Sequence, residues 1–393
     1  MKRILLNMPS QFGGKPSGVA RVAFALIGEL VRRPDVAVVL RSPWTRAELP
    51  AAWRDAVAVV TVRRPRIVVL DVLAQLVTVP ACCRRHAIDV VLNIDPYGAG
   101  AGGRARIVVV HDLYFRTIPQ STGPREALIT DWVFRLMLAR NHAVVAVSDA
   151  TRRDLEQHYP AVRGRVRVIP SASVLDPAAL AVGAPAEVAG PYVLAVGNAT
   201  HNKNFGLLAE AVASIAHAHP DLAVVHVGED PADAVAGTLR RLGAASRVVR
   251  LSRIDDQRLA ALYRGALCLC VPSFAEGFCL PVLEAQALGC PVVCSDRSAT
   301  PEVAGEGALT FDPTDAAALA ARATELATLL TGHAPLTMQA TKEGLRRLAE
   351  EAAAPEGEPQ PGDDLILSCY MSRDFREGME AFLAKRTPDW QGR

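Results

Sequence analysis

Ser273-Phe-Ala-Glu276-Gly-Phe-Cys-Leu-Pro281-Val-Leu-Glu284 places two carboxylates eight positions apart, with a glycine and a proline between them. The preceding residues, Ala266 to Val271, form a continuous apolar run, too short for a surface helix and suited to a buried parallel strand. Val282 to Leu288 has helical spacing, with Pro281 at the favoured first position and Gly289 as the stop. Strand, loop and helix in this order put the loop at the carboxyl end of a strand, where open parallel sheets bind ligands. The free N–H groups of the helix start suit an anion. Glu276 then lies in the loop and Glu284 on the first turns of the helix. Standing alone, the pair also reads as one loop acid and one helical acid favoured by the helix dipole.

At 393 residues the chain exceeds one ordinary core, which predicts two domains. Half of the residues are hydrophobic, yet the longest apolar stretch, Ile67 to Cys83, is broken by Asp71, Gln75 and Pro80, so no membrane-spanning helix is expected. Met1-Lys-Arg runs straight into a short strand without the long apolar centre of a signal peptide, and a cytoplasmic location is expected. The eight cysteines fall mostly in or beside apolar runs, where Cys acts as a small hydrophobe. No Cys/His set has zinc spacing, and no disulfide framework is expected. Residues 1–190 carry 25 Lys and Arg against 15 Asp and Glu, whereas the remainder carries 18 against 26. A basic first half favours phosphorylated acceptors or a membrane surface; it also fits arginines that decorate solvated faces.

Short β-branched runs alternate with helical stretches through the first half: Arg3–Leu6, Ala37–Leu40, Ile67–Leu70, Val90–Leu92, Ile107–Val110, Ala143–Val147 and Val166–Ile169. This alternation predicts βαβ units and a doubly wound sheet. Pro, Ala and Gly dominate residues 176–190, read as a linker. The pattern restarts with Tyr192–Gly197, a helix over about Asn204 to Ala218, Ala223–Gly228 and the 266–289 segment. The expected organisation is a Rossmann-like domain over 1–175, the linker, a second Rossmann-like domain over 191–320 and a helical tail over 321–393. Two such domains place their strand-end loops across a cleft.

Four loops would line that cleft. Gln11 to Arg21, with Gly13, Gly14 and Gly18, opens a helix and allows close backbone approach to phosphate, although a flexible turn fits as well. His111 stands just past a strand, available for proton work or as a strand-end cap. Gly197-Asn198-Ala-Thr-His-Asn-Lys203 precedes a helix, so Lys203 could neutralise a diphosphate or be an ordinary surface lysine. The opening segment is the fourth, followed by Ser295 to Gly305.

These blocks, in this order, resemble the retaining glycosyltransferases of the large group 1 family over residues 1 to about 315. The matching pieces are Glu276-Gly-Phe-x-Leu-Pro-x-x-Glu284, Pro301-Glu-Val-Ala-Gly, Gly197 with Lys203-Asn204, and Ser148 to Leu155. The resemblance implies the GT-B arrangement: two Rossmann-like doubly wound α/β domains facing a cleft. It implies that Glu284 accepts hydrogen bonds from the donor ribose and that Glu276, with Gly277, Phe278 and Leu280 after it, holds the sugar. It further implies that Lys203 and the Gly18 loop hold the diphosphate, that Gly197 and Asn198 belong to the donor-binding set, and that His111 lies beside the transferred sugar, making His111 and Glu276 the catalytic pair. Where relatives often carry an arginine, this chain has Asn198.

A departing nucleoside diphosphate builds negative charge that fixed positive groups stabilise. With no Asp-x-Asp metal site at the cleft, lysine and helix dipoles are expected to do this work. No cofactor is expected beyond a GDP- or UDP-linked sugar co-substrate. The expected function is transfer of a hexose, mannose favoured, to a glycan or lipid-linked acceptor, with peripheral contact to the inner face of a membrane and no nucleic acid. Helix Arg125 to Arg140, with Trp132 and Phe134 among arginines, reads as that contact or as an amphipathic core helix. From about Ala321 the chain resembles instead the C-terminal segment of the enoyl-CoA hydratases (crotonases). A scaffold protein impaired by this replaced tail is the alternative reading, and a hydratase the third.

Overall fold

A computed structural model describes residues 1–8, 18–62, 68–98, 100–118, 120, 122–173, 175, 188, 190–331, 340 and 363–392. Most of the Gln11 loop, most of the linker and part of the expected helical tail lie outside the described residues.

The first domain is one parallel sheet of seven strands: β1 (Lys2–Asn7), β2 (Val36–Ser42), β3 (Val57–Thr61), β4 (Val90–Asn93), β5 (Ala105–Val110), β6 (Ala143–Ala146) and β7 (Val166–Val168). Their order is β3-β2-β1-β4-β5-β6-β7. Helices α1 (Gly18–Val31), α2 (Val68–His86), α3 (Tyr114–Thr117), α4 (Pro124–Arg140) and α5 (Asp149–His158) connect them. The second domain repeats the design with β8 (Tyr192–Val196), β9 (Ala223–Val227), β10 (Val248–Leu251), β11 (Cys268–Val271), β12 (Val292–Ser295) and β13 (Ala308–Phe311) in the order β10-β9-β8-β11-β12-β13. Its helices are α6 (Phe205–Ser214), α7 (Ala234–Arg241), α8 (Asp256–Gly265), α9 (Leu280–Ala287), α10 (Thr300–Ala304) and α11 (Ala316–Thr331).

Each chain of strands runs outward from a starting strand and then turns back to its other side, at β1/β4 in the first sheet and β8/β11 in the second. The two doubly wound sheets are those expected. β11 is buried along its whole length between β8 and β12, with Leu269 paired to both Leu194 and Val292. The continuous apolar run is therefore a central strand, as its lack of alternation implies.

Three expectations are corrected. Val68–Leu70 is the start of α2, not a strand. Its run continues with Asp71, Val72, Gln75, Val79, Cys82 and Cys83 buried, a spacing of three and four that turns one helical face inward. The third strand is Val57–Thr61, an edge strand hydrogen-bonded only to β2. Third, α11 crosses the expected boundary at 320/321: Leu319 and Ala320 are buried in the second core and Leu326 packs against it.

The described tail is a pair of helices, α12 (Asp363–Tyr370) and α13 (Arg373–Ala384). The Asp374 carboxylate accepts hydrogen bonds from the backbone of Gln391 and Gly392, and Trp390 lies over Gly378. All eight cysteines are thiols rather than disulfides, and seven are buried. No described helix is long and apolar enough to cross a membrane.

Candidate functional site

The loops that leave β8 and β11 are neighbours because those two strands pair at the turning point of the second sheet. The β8 loop winds into a short 3-10 turn, His201–Lys203, and left-handed Asn204 then starts α6. Lys203 is thereby aimed back over the strand end. Its Nζ donates to Glu276 Oε1 at 2.7 Å, and Ser273 Oγ donates to the same oxygen at 2.6 Å. Glu276 is only 5% exposed. Burial alone would lower the lysine's affinity for its proton, but the Glu276 carboxylate beside it prevails and raises it, so the ammonium is secured.

Gly197 is tied to the same group. Its φ is +124°, and a Cβ there would lie 3.5 Å from Lys203 Cε. Its carbonyl accepts from His226 Nε2 at 2.8 Å. Asn198 serves the loop instead: its Oδ1 accepts from the Glu229 N–H at 3.0 Å, and the residue is exposed.

Opposite stand loops of the first domain. His111 follows β5, and its Nε2 donates to the Ile94 carbonyl, just past β4, at 2.8 Å. Only Nδ1 is then available to a ligand. The backbone of His111 touches the motif directly, since a Cβ on Gly277 would fall 1.7 Å from the His111 carbonyl oxygen. Tyr114, at the start of α3, accepts from the Gly277 N–H at 3.1 Å and donates to Glu276 Oε2 at 3.3 Å. Ser148 Oγ and Thr151 Oγ1 donate to the Gly277 carbonyl at 2.6 and 3.0 Å. Gly277 is thus held on both sides of its residue by the first domain.

Glu284 lies buried on α9 and accepts from Tyr263 Oη at 2.9 Å. Burial pushes its carboxyl up, opposed by the Tyr263 hydrogen bond and by Arg21 of α1. Arg21 also bridges to Asp256 at the start of α8, 2.6 Å away, so the beginning of α1 lies against the second domain. Gly18 opens that helix and is exposed. Phe278 is partly buried in the motif loop, and Leu280 is partly buried as the first residue of α9. Cys279 between them has φ +81° and is buried, and burial pushes its thiol well up. Beside Ala275 a cavity of about 560 Å³ opens between the domains, with Thr117 and Arg153 on one wall and His201 and Arg297 on the other.

His111, Lys203, Glu276, Gly277 and Gly197 are therefore brought together, with Glu284 one helical turn further along. Tyr114, Ser148, Thr151, Ser273, Arg21 and Glu302 were given no role from sequence. Glu302 of α10 accepts from the Asp149 and Ala150 N–H groups at 2.7 and 3.0 Å, across the domain boundary. Ser148, Thr151 and Glu302 stand inside the blocks that carry the resemblance, which marks those segments but not their contacts.

Two doubly wound parallel sheets whose strand-end loops meet over a paired lysine and glutamate define a GT-B protein. The family described as "Glycosyltransferase Family 4" matches residues 16–172 and that described as "Glycosyl transferases group 1" matches 190–328. Both domains are thus glycosyltransferase domains, the second of group 1. O-antigen chain mannosyltransferase B of Escherichia coli is 46% identical over 71 residues, 18% of this chain and 19% of that protein. Phosphatidyl-myo-inositol mannosyltransferase of Mycobacterium tuberculosis (strain CDC 1551 / Oshkosh) is 33% identical over 187 residues, 45% of this chain and 48% of that protein. The chain thus spans less than half the length of these curated relatives. Among solved structures, that of WaaG, a glycosyltransferase involved in lipopolysaccharide biosynthesis, superposes with a TM-score of 0.66 at 19% identity, covering 91% of this chain and 96% of that one. A separate likeness is to 2,3-dehydroadipyl-CoA hydratase of Escherichia coli (strain K12), 34% identical over 108 residues, 28% of this chain and 42% of that protein.

Proposed function

We propose that this chain is a retaining, metal-independent hexosyltransferase that moves a sugar, mannose favoured, from a nucleoside diphosphate sugar to a glycan or lipid-linked acceptor. The observation that carries the reading is the Lys203–Glu276 pair at the end of β8 and β11. It sets one ammonium and one carboxylate side by side at the sheet's turning point, where a diphosphate and its sugar would meet them. Lys203 would offset the charge that grows on the departing phosphate. Glu276 and the Gly277–Leu280 backbone would hold the sugar, and Glu284 the ribose. His111 would present Nδ1 to the transferred sugar. The favoured sugar rests on the mannosyltransferases among the relatives.

The roughly 560 Å³ cavity beside Ala275 is room for an acceptor, and its arginines suit an anionic one. Membrane contact is supported by an exposed apolar face on two packed helices, with Leu70, Leu73 and Val77 on α2 and Leu128, Ile129 and Trp132 on α4.

The test is a panel of GDP- and UDP-sugars assayed for release of nucleoside diphosphate, the intact chain against Glu276→Ala. Turnover with one donor, lost in the variant by about 100-fold or more, supports the reading. No binding of GDP or UDP and no turnover of any donor overturns it. Binding without turnover favours the scaffold alternative.

A further inference from the structure

The hydroxyl of Tyr114 sits on the groups that the proposed function assigns to the donor sugar. Glu276 Oε1 is already taken by Lys203 and Ser273, and the Gly277 carbonyl by Ser148 and Thr151. What the Glu276 side chain and the Gly277 backbone have left to offer a ligand is one carboxylate oxygen, Oε2, and one N–H. Both are met by a single atom, Tyr114 Oη, at 3.3 and 3.1 Å.

A phenol and a sugar hydroxyl carry the same equipment, one O–H to donate and lone pairs to accept. Here the phenol donates to Oε2 and accepts from Gly277. Burial and the adjacent Glu276 hold the phenol well above its usual range, so it keeps the proton it donates. The residue belongs to α3, a single four-residue turn in the loop after β5. It is attached to the sheet by a short turn rather than locked inside it.

We propose that Tyr114 is a specificity-determining residue whose hydroxyl competes with one hydroxyl of the donor sugar for the Glu276–Gly277 seat. This rests on the donor-cleft reading above. A sugar takes the seat only by supplying a hydroxyl that both donates and accepts there. A deoxy sugar lacking that hydroxyl cannot replace the phenol and is rejected. The phenol is held at the seat by the fold, whereas a water in its place would lose immobilisation entropy.

Calorimetry of the full chain and of Tyr114→Phe tests this, with GDP, UDP, GDP-mannose and UDP-glucose as probes. Removing the hydroxyl removes the competitor at the sugar seat and leaves the diphosphate seat alone. Tyr114→Phe is therefore expected to bind the accepted nucleotide sugar roughly two- to tenfold more tightly, the worth of one exchanged hydrogen bond, with unchanged affinity for the bare diphosphate. Tyr114→Leu is expected to shift the sugar affinity in the same direction, and thermal melting checks that both variants are folded. Normal diphosphate binding with an unchanged or weakened sugar affinity overturns the competition and leaves the donor cleft standing; a weakened affinity would mean that the phenol touches the bound sugar. Failure of the wild-type chain to bind either diphosphate overturns the donor-cleft reading and this inference with it.

Discussion

Gly277 is the residue on which the two domains close. Its N–H is taken by Tyr114 and its carbonyl by Ser148 and Thr151, and the His111 carbonyl fills the place where a Cβ would stand. The obstacle is backbone, so it cannot be relieved by turning a side chain. Gly277→Ala is expected to force the domains apart at this point and lower turnover about 100-fold, the usual cost of displacing a catalytic constellation by about 1 Å. Steady-state kinetics beside far-UV circular dichroism checks this, and the dichroism is expected to stay unchanged. The motif could be read from Glu276 and Glu284 alone, but the glycine's burden could not. It comes from the carbonyl of His111, a residue 166 positions earlier in the chain.

Helix α4 is tied to its surroundings by one carboxylate. Asp131 accepts from Arg116 Nε at 2.9 Å, from Arg135 Nε at 2.9 Å and from Tyr159 Oη at 2.6 Å, which joins α3, α4 and the end of α5. Burial works against its ionisation, but the three hydrogen bonds outweigh burial and bring the carboxyl down to about 2. A depressed carboxyl contributes stability that is complete above its unfolded value near 4 and is lost as pH falls through about 2. Asp131→Asn is expected to lower stability by about 2 kcal/mol at pH 7, with the gap from wild type narrowing between about pH 4 and pH 2. Urea midpoints measured across that range check the sign. The helix itself was legible from its spacing. Its tie to Tyr159 was not, because an aspartate among arginines looks like any solvated charge.

At the scale of the molecule, the closed arrangement depends on a helix end shared between domains. Helix α5 begins at Asp149 with Ser148 as its cap, and the Glu302 carboxylate of the second domain receives two of its free N–H groups. An anion at a helix start is favoured by both hydrogen bonding and the helix dipole. Glu302→Ala is expected to weaken closure by about 1 kcal/mol, close to the cost of a lost N-cap, and so to lower turnover about fivefold. Small-angle scattering is expected to show a larger radius of gyration, with each domain's secondary structure intact. Glu302→Gln, which keeps one carbonyl acceptor, is expected to fall between wild type and alanine.

Local pattern determined most of the described strands, though not β3, β10, β12 or β13, together with the doubling of the α/β unit and the segment holding Glu276 and Glu284, because an all-apolar run followed by a glycine-bearing loop and a helix has few other solutions. It failed at Val68–Leu70, where a short β-branched run fits strand and helix alike until the burial of Val72, Gln75 and Val79 shows which face is covered. Only the tertiary structure could decide which parts of the motif loop meet the other domain. Tyr114, Ser148, Thr151 and Glu302 act on partners more than a hundred positions away, and sequence spacing carries information only over the few residues of a turn. Closing the two sheets over Lys203 and Glu276 turned a pair of spaced acids into one glutamate held by three side chains and another buried beside a tyrosine.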